Sequence, residues 1–155
     1  MLDLFLADFS HPFPSIAWQT ALSRMIVAAL MGGVIGFERE AREKPAGLRT
    51  HMMICLAACL FTLLGSELLQ IEATSSASIR TDPMRVIEAV TAGVAFLAAG
   101  SIITSRGSVQ GLTTGSSMWM AGAIGVACGT GELVLGFFAM MISLIILLIV
   151  GWLEL

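Results

Sequence analysis

Five apolar runs, each long enough for about one bilayer crossing, divide this chain, and polar residues gather between the runs. The first run, about 16–37, passes directly into Glu38-Arg39-Glu40. The second, about 50–69, follows a charged connection that closes on Gly47-Leu48-Arg49-Thr50. The third begins after Asp82-Pro83, a capping acid followed by a residue suited to a first helical turn, and runs about 85–103. The fourth, about 112–128, lies between Arg106 and Glu132 and opens on Gly111, Leu112, Thr113, Thr114 and Gly115. The fifth, about 133–153, is bulky and almost featureless. The pattern predicts an all-α membrane protein, a polytopic bundle of five transmembrane helices over 16–155. Residues 1–15, mixed in polarity and ending in prolines, are expected to lie in the interface. No C-terminal soluble domain is expected.

Composition agrees with the pattern. Hydrophobic residues make up 57% of the 155 and charged residues only 12%, against about 25% charged in soluble domains. The net charge of −3 gives no reason to expect nucleic acid as a partner. The bilayer is the expected surrounding. The opening residues lack the basic stretch of a signal peptide.

Small residues repeat at helical spacing. Ala28, Gly32 and Gly36 mark the first helix, Gly93 and Gly100 the third, and Ser117, Ala121, Gly125 and Gly129 the fourth. Close backbone approach is what joins helices in lipid, where apolar burial supplies little drive. Helices one, three and four are therefore expected to form the tight core, with helix five outside against lipid. A small-residue face would also serve a homo-oligomer.

Four of the eight basic residues (Arg39, Arg42, Lys44 and Arg49) sit in the connection between the first two helices. Arg106 is on the same side. The basic excess places that side inward, with the N-terminus outside and the C-terminus inside.

Ionisable groups at membrane depth need individual accounts. Arg24, Glu67, Asp82, Arg85 and Glu88 fall towards the outer side, and Arg24 is expected to pair with Glu67 or Glu88. At the inner ends lie Glu38, Arg39, Arg49, Thr50, Arg106, Thr113 and Thr114. The two threonines are placed to cap the fourth helix, within a layer of caps and salt bridges that joins two loops. This layer is the expected partner surface, with Arg49 as its link to the fourth helix. Cys55, Cys59 and Cys128 read as small packing residues. The two histidines, His11 and His51, are far apart in sequence, so neither a metal site nor a cofactor is expected. Neither has an obvious serine or cysteine partner, and no nucleophile motif is present, so no catalytic residue and no enzyme activity are expected.

Four stretches together resemble the MgtC/SapB family of bacterial inner-membrane proteins. They are GGVIGFERE (Gly32 to Glu40), AGLRTHM (Ala46 to Met52), DPMRVIEAVTAGVAFLAAGSII (Asp82 to Ile103) and VQGLTTGSSMWMAGAIGVACG (Val109 to Gly129). The resemblance implies a cell inner-membrane protein with about five helices, linked to magnesium limitation and, in intracellular pathogens, to virulence and survival inside macrophages. It implies a regulator acting on other membrane proteins, such as ATP synthase or a magnesium transporter. The competing expectation is a magnesium transporter or channel using Glu67 and Glu88. By motif, the resemblance points to Gly36, Glu38, Arg39, Gly47, Arg49, Thr50, Asp82, Arg85, Gly93, Phe96, Gly100, Gly111, Leu112, Thr113 and Thr114. Arg24 is similar to an arginine that often opens the family's first helix. The chain departs from the family at His51, where many members carry asparagine. It departs again at Ala95, Ala98 and Ala89, where glycines and a glutamine are common.

Overall fold

The computed structural model describes residues 16–74, 82–105 and 108–153. They form helices α1 (Trp18–Ala41), α2 (Leu48–Thr74), α3 (Pro83–Ser101), α4 (Leu112–Thr130) and α5 (Leu133–Leu153). Strands β1 (Ile103–Ser105) and β2 (Ser108–Gln110) make an antiparallel ribbon between α3 and α4, pairing Thr104 with Val109. The ribbon takes Ile103, the residue at which the apolar pattern ends the third helix. The segment 1–15 and Arg106 lie outside the described residues.

The helix ends follow local chemistry. Asp82 caps α3: its carboxylate accepts the Met84 N–H at 2.9 Å, and Pro83 occupies the first turn. α1 continues past its expected end to Ala41 and stops with Glu43 in the left-handed region (φ 54°), where Lys44 N–H returns to the Arg39 carbonyl. Pro45 prevents any continuation. α4 ends on Gly131 (φ 94°). The Gly131 and Glu132 amides return to the Cys128 and Ala127 carbonyls, a glycine-terminated helix stop.

Three segments, Trp18–Ala41, Leu48–Gln70 and Pro83–Ser101, are long and apolar enough to cross a membrane, and Leu133–Ile149 is a shorter apolar stretch. α4 carries the serines, threonines and glycines, and it is the helix that protein surrounds. It touches α1, α2, α3 and α5. The tight core is α1, α2 and α4, which corrects the expectation that α3 belonged to it in place of α2. The reason is the fit between backbones. A Cβ on Gly125 would stand 2.7 Å from the Ala58 Cβ, and one on Gly32 would stand 2.7 Å from the Cys55 Cβ, so α2 lies almost in backbone contact with both α4 and α1. Ala28, Met31, Ile35, Cys55, Cys59, Ile124 and Cys128 fill the centre. α5 covers one flank, burying Met140 and Leu147 and leaving Phe138, Ile142 and Ile146 exposed.

Candidate functional site

The charged connection folds back on the helices it joins. The Glu38 carboxylate lies between two guanidiniums, with Arg39 Nε on one oxygen and Arg42 Nε 2.6 Å from the other. Glu38 and Arg39 are 7% and 3% exposed, so the pair is buried and each charge depends on its partner. Glu40 reaches across the connection and accepts the Leu48 N–H at 2.8 Å, satisfying one of the free amides that open α2. Gly36 allows this closure: a Cβ there would lie 2.8 Å from the Gly47 carbonyl oxygen.

One turn into α2, His51 is completely buried. Its Nδ1 lies 2.9 Å from the Gly47 carbonyl, and its Nε2 lies 3.0 Å from Ser117 Oγ on α4. Ser117 Oγ also lies 2.8 Å from the Thr114 carbonyl. Because the Gly47 oxygen only accepts, Nδ1 carries the proton and Nε2 of a neutral ring accepts from the serine. The single hydroxyl proton of Ser117 is then shared between Nε2 and the Thr114 oxygen. The pair has the atoms of a nucleophile and base, but a backbone carbonyl orients the ring and burial closes off both groups. What it does is tie α2 to α4.

This pair is the feature that sequence reasoning missed. The available signal was a histidine near the start of one helix and a serine heading the small-residue stripe of another. Arg49 is exposed and Thr50 half-buried, and the link from this end to α4 runs through His51, which corrects the role expected of Arg49. The threonines do not cap α4. Its cap is Gly111, in the left-handed region (φ 85°), with no side-chain bond. Thr113 is exposed, Thr114 is buried, and both carbonyls accept from serines within the first turns.

At the other end of the bundle, Arg24 is half-buried and donates from Nη1 to the Gly129 carbonyl at 2.9 Å. This corrects the expectation of a carboxylate partner from Glu88. The helix stop at Gly131 turns α4 carbonyls towards α1, and a cation suits that negative helix end. Glu67 is buried on α2, while Asp82, Arg85 and Glu88 are exposed. Arg24 and Glu67 thus lie within the bundle, whereas Asp82, Arg85 and Glu88 lie on its surface. Gly93 and Gly100, expected at a helix contact, have no atom of the described residues within 4 Å of where a Cβ would stand, whereas Gly32, Gly36, Ala121 and Gly125 are buried between helices. Among the described residues, no three His, Cys, Asp or Glu side chains come together as a metal site would require.

Residues 25–155 match the MgtC family. An uncharacterised protein of Haemophilus influenzae is 39% identical over 110 residues, covering 70% of this chain and 46% of that protein. A protein of Escherichia coli (strain K12), YhiD, named as a candidate magnesium transporter, is 37% identical over 124 residues, covering 80% and 57%. The protein named MgtC of Brucella abortus (strain 2308) is 38% identical over 104 residues, covering 67% and 40%. The chain thus spans about half the length of these relatives. No solved structure matches.

Proposed function

Since the chain belongs to the MgtC family, we propose that this membrane protein works by contact with other inner-membrane proteins, as a regulator when magnesium is limiting, and that it has no catalytic role. It sits in the inner membrane as a multi-pass protein, with the Glu38–Arg49 connection facing inward, as its basic residues favour. The link to virulence and the identity of the regulated protein come from the family resemblance.

One observation carries this reading over transport. Among the described residues the charged side chains lie towards the two ends of the bundle, and the α1–α2–α4 centre between them is filled by Ala28, Met31, Ile35, Cys55, Cys59, Ile124 and Cys128. A hard cation needs several oxygen ligands along its way. Glu67 and Glu88, the ligands of the transport alternative, differ in setting: one is buried in the bundle and the other lies on the open side of α3.

Proteoliposomes loaded with a magnesium-sensitive dye test the proposal. Under an imposed gradient, folded and inserted protein should leave dye signal at the rate of empty liposomes. Magnesium entry that is lost in Glu88→Gln would overturn the regulatory reading and establish transport.

A further inference from the structure

α3 stands partly away from the rest of the bundle. It leans on α4, where Val94 meets Gly122, and touches α2, where Val86 meets Gly65. Between these contacts a cleft of about 660 Å³ opens between α2 and α3. Its floor is Ala58, Val90 and Val94, all buried, and its walls include the exposed Phe61, Leu64 and Leu97. Gly93 lines it and leaves it empty at mid-length.

The cleft runs along the helices from Leu97 to Arg85, about 18 Å at 1.5 Å per residue, slightly more than half of a ~30 Å hydrocarbon core. Its one charged lining residue, Arg85, stands at one end. Among the described residues Arg85 makes no ion pair. The Asp82 carboxylate accepts the Met84 amide through Oδ1, and neither Asp82 nor Glu88 is part of the lining. A second apolar cleft, of about 710 Å³ between α1, α2 and α5, makes the contrast. It also has an arginine in its lining, Arg42, but that charge is spent on Glu38 at 2.6 Å. The first cleft is an apolar slot about one leaflet long, with an arginine at its end that pairs with no acid among the described residues.

We infer that the cleft between α2 and α3 binds an anionic phospholipid, with one acyl chain along Ala58, Val90 and Val94 and the phosphate on Arg85. The guanidinium offers paired N–H donors to phosphate oxygens, and the tail covers apolar surface that α3 leaves open.

Native mass spectrometry of the full chain, released from nanodiscs of phosphatidylglycerol or of phosphatidylcholine, tests this. Wild-type protein should retain one phosphatidylglycerol per chain in preference to phosphatidylcholine. Arg85→Gln should lower that retention about tenfold and Arg85→Lys less, as removal of a charge-assisted contact predicts. Gly93→Phe, which has room for its first side-chain atom, should abolish retention while melting like wild type. Equal retention of both lipids, retention unchanged by Gly93→Phe, or a lipid-free dimer that Gly93→Phe dissociates would each overturn the inference. The last would assign the cleft to a second copy.

Discussion

α3 and α4 carry similar small-residue patterns, and the protein uses them in opposite ways. On α4, Gly125 meets Ala58 and the Cys55 carbonyl, and Gly129 meets Thr62, so α2 rests directly on that backbone. On α3, Gly93 and Gly100 face no described atom. A glycine spaced for helix contact is thus a permission, and the neighbouring surface decides whether it is taken up. α2 offers α4 small side chains at matching heights, Cys55, Ala58 and Thr62. Beside Gly93 the facing α2 residues, among them Ala58 and Phe61, line a cleft instead of making contact.

The comparison can be broken most severely at Gly125. Gly125→Leu would drive a side chain into α2 backbone, and a loss of about 3 kcal/mol or more is expected. SDS-titrated unfolding, read by tryptophan fluorescence, would check it. A smaller effect is expected from His51→Ala, which leaves Ser117 without its ring partner and opens a cavity. The loss should be about 2 kcal/mol in the same assay. His51→Asn should lose less because an amide can still reach one of the two partners. At the other extreme, Gly93→Leu should leave the fold intact and stabilise α3 by about 0.5–1 kcal/mol through helix propensity alone. If Gly93→Leu destabilised the isolated chain as much as Gly125→Leu, the contrast between the two helices would fail.

Helix number and several helix ends were legible because they depend on local chemistry. Asp82-Pro83 starts α3 through a bond two residues long, and Lys44-Pro45 closes α1. The partnering of helices was not legible. Helices such as α4 and α5 are apolar or small on nearly every side, so periodicity gives no inward face to read. The two polar ties were hidden for different reasons. His51 and Ser117 are 66 residues apart, on helices whose adjacency had first to be known. Arg24 binds a backbone carbonyl, so a search among acidic side chains passes over it. Its signal is the run Gly129-Thr130-Gly131, which ends α4 and turns its carbonyls outward. Glu38, Arg39 and Arg42 are neighbours at the end of α1, within five residues of sequence, so their pairing is local.

The two ties on α4 also make that helix a ruler. Ser117 is held by His51 of α2 and Gly129 by Arg24 of α1, and the twelve-residue step from one to the other fixes the spacing at about 18 Å. A one-residue insertion between them would turn one half by about 100° and shift it about 1.5 Å, so only one tie could survive. α4 therefore cannot change length between these two ties without losing one of them.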